Sequence, residues 1–131
     1  VTSFNELRRE GLDVSRWNML HPESEPRVSH VESCLNGNGP VIASTDHIKL
    51  FADQIRPFMP KSRAYKVLGT DGFGRSDSRA KLRYHFEVNR HWVVVTTLKA
   101  LADAGDIKPA VVAEAIRKYG IDPAKANPLT V

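Results

Sequence analysis

Apolar residues recur along this chain in two rhythms. Phe4, Leu7, Val14 and Trp17 fall at helical spacing, as do Val28, Val31 and Leu35, and later Ile48, Phe51, Ala52 and Ile55. Two short runs instead read as buried strands, Pro40–Ser44 and Tyr65–Leu68, each bounded by turn residues. Ser3-Phe4-Asn5-Glu6 has the form of a capping box, so a helix is expected from Phe4 to about Glu10. Gly11 is expected to weaken that helix and Asp13 to cap a second short one carrying Val14 and Trp17. A helix over about Arg27–Leu35 precedes the Asn36-Gly37-Asn38-Gly39 turn cluster. Thr45 or Asp46 is expected to cap a helix that stops before Pro57.

After the second strand comes a glycine-rich loop, Gly69-Thr70-Asp71-Gly72-Phe73-Gly74. Ser76, Asp77 or Ser78 then caps a helix over roughly Arg79–Phe86. Trp92–Val95 has strand propensity but runs into Thr97–Ala104, so the whole is read as one helix, Arg90–Ala104, capped by Asn89. Pro109 opens a last helix ended by Gly120, and the tail is polar and broken by proline. Strands alternating with helices predict an α/β layer arrangement around a small, mostly parallel sheet. Two strands make a poor sheet, so a further strand is expected upstream of Val1.

Composition narrows the class of protein. The 131 residues, 41% hydrophobic and 26% charged, fit one globular domain. Nineteen basic against fifteen acidic residues give a net charge of +4, mild for a nucleic-acid-coating protein. Apolar runs such as Trp92–Val95 fall far short of the roughly 20 residues a membrane span needs. Neither a nucleic acid nor a membrane is therefore expected as a partner. The single Cys34 allows no internal disulfide. No signal-peptide pattern opens the chain, and a soluble protein of a reducing compartment fits best. Val1 stands where an initiator Met would, so a processed chain or a piece of a longer polypeptide is expected.

Candidate chemistry is sparse. The loop follows a strand and precedes a helix, a context that suits phosphate. Its G-x-x-G-x-G spacing (Gly69, Gly72, Gly74) is neither the dinucleotide fingerprint nor a P-loop, which favours a tight turn or an interdomain contact. Arg75, Arg79 and Arg83 would form one basic stripe if all lay on a helix, with Asp71, Asp77 and Glu87 near enough in sequence to neutralise it. His30 and Cys34 share a helical face without an evident third metal ligand, and read as a buried thiol beside a surface imidazole. His21, His47, His85 and His91 lack metal spacing, and His85 reads as structural. The Phe51/Ile55 and Leu98/Leu101 stripes read as core. An α/β binding module using the loop for a phosphate-bearing ligand stays open as a second reading.

The stretch Val67–Arg79, continued by Leu82-Arg83 and His85–Val88, closely resembles the C-terminal domain of the homodimeric bacterial pyruvate dehydrogenases. Val1–Phe4 with Glu6-Leu7, Arg16–Pro22, Ala43–Asp46 and Gln54–Arg56 agree, so the resemblance covers essentially the whole chain. His47 stands where that family commonly has Tyr. The resemblance implies a transketolase C-terminal-like fold, three-layered, with its first strand before Val1. It implies a cytoplasmic bacterial parent enzyme dependent on thiamine diphosphate and Mg2+. That enzyme decarboxylates pyruvate and acetylates the lipoyl group of a dihydrolipoyl acyltransferase core. The remaining domains of the subunit and a homodimer partner are the implied neighbours. No thiamine-site motif occurs in these residues, so no catalytic, cofactor-binding or metal-binding residue carries over, and the chain alone is expected to be inactive. Residues 1–131 would then be one C-terminal domain that serves subunit and domain packing. Its expected docking loop is Gly69, Asp71, Gly72, Phe73, Gly74, Arg75, Asp77 and Arg79. An uncovered sheet edge would favour self-association of the chain.

Overall fold

A computed structural model describes residues 1–131. Its first helix, α1 (Phe4–Leu20), is continuous, without the expected break at Gly11. Gly11 is buried because the ring of Phe58 lies against it: a Cβ there would stand 2.6 Å from Phe58 Cγ. Packing therefore decides this position, and Asp13 is a mid-helix residue. Only half of the expected capping box forms. The Glu6 amide donates to Ser3 Oγ at 3.2 Å, but the Glu6 carboxylate turns to Arg9.

Helix α2 (His30–Cys34) is shorter than the spacing predicts, because Ser29 caps it. Arg27 stays outside it. Its amide donates to Asn18 Oδ1 at 2.8 Å, and its guanidinium lies 4.0 Å from the centre of the Trp17 ring.

Strands β1 (Val41–Ser44) and β2 (Tyr65–Leu68) pair in parallel, in register from Val41 opposite Tyr65 to Ser44 opposite Leu68. Between them run α3 (Lys49–Asp53) and a 3₁₀ turn (Arg56–Phe58). Neither Thr45 nor Asp46 caps α3. Ile48 occupies the cap with no side-chain bond, while Thr45 Oγ1 accepts from the His47 amide at 3.1 Å. Of the predicted stripe, Ala52 and Ile55 are buried, but Ile48 and Phe51 are exposed. Phe51 is therefore a surface residue and not core.

Alternation along the strands sorts their side chains by face. Val41, Ala43, Tyr65 and Val67 join Phe4, Leu7, Val31, Ile55 and Phe58 in one core cluster with α1 and α2. Helix α5 (Arg90–Asp103) packs on both strands, and α6 (Pro109–Lys118) packs on α5. Val95, Val112, Ala115 and Ile121 form the second cluster there. The result is three layers: helices, a two-stranded parallel sheet, helices. Asn89 caps α5 as expected, accepting from His91 at 2.9 Å and Trp92 at 3.1 Å. That cap and the packing against α6 override the strand propensity of Trp92–Val95.

Candidate docking groove

In a parallel sheet the loops leaving the carboxyl ends of the strands share one edge, where α/β proteins commonly build their sites. Here those loops are knitted together. Thr45 N donates to Leu68 O at 3.0 Å, and Thr70 N to His47 O at 2.9 Å. The Thr70 hydroxyl donates to Asp46 O at 2.8 Å, and Lys49 N to Asp71 Oδ2 at 3.2 Å. Gly69 makes this approach possible, since a Cβ there would lie 2.8 Å from both His47 O and Lys49 N. Beyond the knit, the glycine-rich loop and α4 (Arg79–His85) line an open groove of about 670 Å³.

The predicted arginine stripe forms differently from the expectation. Ser78 caps α4, so only Arg79 and Arg83 are helical and Arg75 stays in the loop. All three nevertheless line the groove. The three acids expected to neutralise them are engaged elsewhere. Asp71 accepts from Lys49, Asp77 accepts from the Ser78 amide at 2.7 Å and faces Lys81 at 3.8 Å, and Glu87 pairs with Lys125 at 3.0 Å. The one acid on the arginines is Asp46, 3.9 Å from Arg83 and itself 79% exposed. Arg75 and Arg79 have no carboxylate partner. No amide from Asp71 to Asp77 donates within the chain. Phe73, on the same loop, is 75% exposed.

The tail braces this loop, a contact the sequence did not predict. Gly72 has φ +108°, and a Cβ on it would stand 2.1 Å from Pro128 O. Only glycine accepts both that backbone angle and that approach. Lys125 anchors the tail: its ammonium donates to His85 O at 2.8 Å and to Glu87 Oε1 at 3.0 Å. The Asp122 amide donates to the Tyr84 hydroxyl at 3.3 Å. Gly74, by contrast, has open space where a side chain would go, so no contact requires its glycine.

His85 bears out the structural reading in part. Its Nε2 is buried without a partner, and its ring meets Phe86 edge-on at 4.8 Å. Burial holds its pKa below the ordinary 6.5, helped by Arg75 and Lys125 and opposed by Glu87.

The other candidates do not converge on the groove. Cys34 is exposed, not buried, because α2 presents it to solvent; its Sγ lies 3.4 Å from His30 Nε2. No group of three His, Cys, Asp or Glu side chains gathers anywhere in the chain. His21 stacks on Trp17 and His91 on Tyr119, each packing within its own layer. No helix is long and apolar enough to cross a membrane.

Known proteins place this fold. The chain is 70% identical over 130 residues to the pyruvate dehydrogenase E1 component of Pseudomonas aeruginosa. It is 62% identical over 130 residues to that of Cupriavidus necator, and 56% identical over 128 residues to that of Escherichia coli K12. Each match covers 98% of this chain but only 14–15% of the relative, at its C-terminal part. Residues 1–89 match the transketolase-like TK C-terminal domain. With most of its length matched to that description and its relatives agreeing, the chain belongs to the transketolase-like C-terminal domain family.

Proposed function

We propose that residues 1–131 are the C-terminal packing domain of a pyruvate dehydrogenase E1 component. The observation that carries this is the 70% identity that spans 98% of the chain and 15% of the relative. The parent enzyme decarboxylates pyruvate with thiamine diphosphate and Mg2+ and passes the two-carbon unit to a lipoyl group, which is acetylated and reduced. Its neighbours in this reading are the remaining domains of the subunit, a homodimer partner and the dihydrolipoyl acyltransferase core, all in the bacterial cytoplasm.

The residues present here do not fit the cofactor. A magnesium diphosphate asks for clustered oxygen ligands on the metal. Two carboxylates line the groove, Asp46 and Asp77, each beside a cation, and no group of three His, Cys, Asp or Glu side chains gathers there. The reading therefore assigns the cofactor to parts of the enzyme outside this chain and gives this domain no catalytic residue. Its surface chemistry instead suits protein contact: arginines beside an exposed aromatic are the residue types that dominate interface energetics.

Two measurements test the proposal. Calorimetric titration of the chain with thiamine diphosphate and Mg2+ should show no saturable binding; tight, magnesium-dependent binding would sink it. An E1 component truncated before the position of Val1 should lose native dimer mass and activity. The second reading, a phosphate-binding module, draws on the unspent loop amides and on Arg75 and Arg79. Saturable binding of inorganic phosphate to the intact enzyme, abolished by Arg75→Ala with Arg79→Ala, would favour it.

A further inference from the structure

We propose that the arginine groove seats a carboxylate-bearing segment of the domains that precede this one in the same subunit. This rests on the reading of the chain as a C-terminal packing domain and names what that packing recognises.

The groove is short of negative charge in a specific way. Arg75 and Arg79 lack a carboxylate, and Arg83 has only the loose 3.9 Å contact with exposed Asp46. Guanidinium groups left in this state favour bidentate carboxylates or phosphates. The unspent amides of Asp71–Asp77 supply further donors along the same wall. An incoming carboxylate would compete only with Asp46, since Asp77 is turned to Ser78 and Lys81.

Two features select a peptide over a free phosphate. The groove also presents Leu82, Phe86 and Val88, apolar surface that suits side-chain stems and offers a small polyanion nothing. Phe73 projects from the same loop with 75% of its surface exposed, an anchor that a partner protein would bury.

The preceding domains are the partner that geometry places nearest. Val1–Asn5 share a depression with Thr45, His47 and Phe51. That is the loop leaving β1, and its Asp46 lines the arginine groove. A polypeptide preceding Val1, as the relatives' greater length implies, would join the domain at that depression, one residue along the β1 loop from the groove. Covalent attachment at that distance gives an effective concentration of the order of millimolar, so a weak acidic contact suffices. The tail keeps the ordering cost low, because Pro128 against Gly72 and Lys125 against His85 and Glu87 shape the loop before anything docks.

The test uses the full-length enzyme. Arg75→Lys and Arg79→Lys keep the charge and supply an amine that a zero-length carbodiimide joins to a touching carboxylate. Dimers mixed from isotopically light and heavy subunits separate contacts within a subunit from contacts across the dimer. The expected result is a cross-link from the lysine introduced at position 75 or 79 to an Asp or Glu of the preceding domains, within one label. In Arg75→Glu/Arg79→Glu enzyme, the amides of residues 71–77 should exchange at least about tenfold faster than in the parent. Cross-links found only between labels overturn the assignment to the same subunit. Absence of any carboxylate cross-link together with unchanged exchange overturns acidic docking altogether. The packing-domain reading fails by a different result: enzyme truncated before Val1 that keeps its dimer mass and activity.

Discussion

Replacing Lys125 with Met keeps the aliphatic stem and removes the ammonium that fastens the tail. That ammonium donates to His85 O at 2.8 Å, to Glu87 Oε1 at 3.0 Å and to Ala126 O at 3.3 Å, and it lies 5.9 Å from the centre of the Trp92 ring. The Lys125 and Glu87 side chains are 13% and 28% exposed, so water compensates only in part for a lost partner. Breaking a fully buried pair costs about 3–5 kcal/mol, and one hydrogen bond to a charged group about 1.5–3. The residual exposure of Glu87 puts Lys125→Met toward the lower figure, about 2–3 kcal/mol. For a domain of this size that lowers the melting temperature by roughly 6–15 °C. Urea and thermal unfolding of the chain read the loss. A double-mutant cycle with Glu87→Gln isolates the pair, with an expected coupling of about 1–2 kcal/mol. Coupling below about 0.5 kcal/mol would refute the claim that this contact holds the tail.

Three further outcomes follow from single contacts. Gly72→Ala should destabilise by about 2–4 kcal/mol in urea unfolding, because φ is +108° and the new Cβ would sit 2.1 Å from Pro128 O. Gly11→Ala should also destabilise, by about 1–3 kcal/mol, although alanine is the better helix former by about 1; the Phe58 ring 2.6 Å away decides the sign, and a rise in stability would show that the ring moves freely. The Tyr65 hydroxyl donates to Ala52 O at 2.7 Å, and its pKa is pushed from 10.0 up to about 12 by burial and then by Asp53, with Arg56 opposing. The neutral phenol is thus favoured in the fold, so its contribution is full below pH 10 and is lost as pH rises toward 12; Tyr65→Phe should flatten that alkaline fall in melting temperature while costing about 1 kcal/mol at neutral pH.

What the sequence made legible follows the range of the interactions involved. Ser3, Ser29, Ser78 and Asn89 all cap helices because a cap needs only its own next three residues. Ser29 stands inside the predicted span Arg27–Leu35, so α2 starts at His30, later than its apolar spacing suggests. Period and length placed both strands within a residue. The errors arose where a distant partner decides. Gly11 looks like a helix breaker until Phe58, 47 positions on by residue number, lies across it. Thr45 and Asp46 look like caps, but the Thr45 hydroxyl accepts from the His47 amide in its own loop and the Asp46 carbonyl accepts from Thr70 on the loop from β2. The glycine-rich loop was legible as an unusual string, and all three arginines named from the sequence do line one groove. Lys125, Pro128 and Tyr84 carried no signal, because nothing local in a polar, proline-broken tail says that it returns to position 72.

The glycines of the loop divide by physical need, and that division bears on function. Gly69 is required by the knit between the two post-strand loops, and Gly72 by its angle and by Pro128. A phosphate cradle asks something different of its glycines: freedom for backbone amides to close on a ligand. Here the two constrained glycines are packed against this chain's own backbone, His47 and Lys49 in one case and Pro128 in the other. They serve to hold the loop out in one shape, with Phe73 and Arg75 presented beyond them. A loop fixed from behind by its own fold and left uncommitted in front suits the docking role proposed above. On this argument, loosening the brace at Lys125 and neutralising Arg75 should weaken domain docking in the intact enzyme by different routes, the first mainly through the loop's shape, because Lys125 does not line the groove, and the second mainly through charge at the contact. Salt should therefore reproduce the effect of Arg75→Ala and leave that of Lys125→Met largely additive to it.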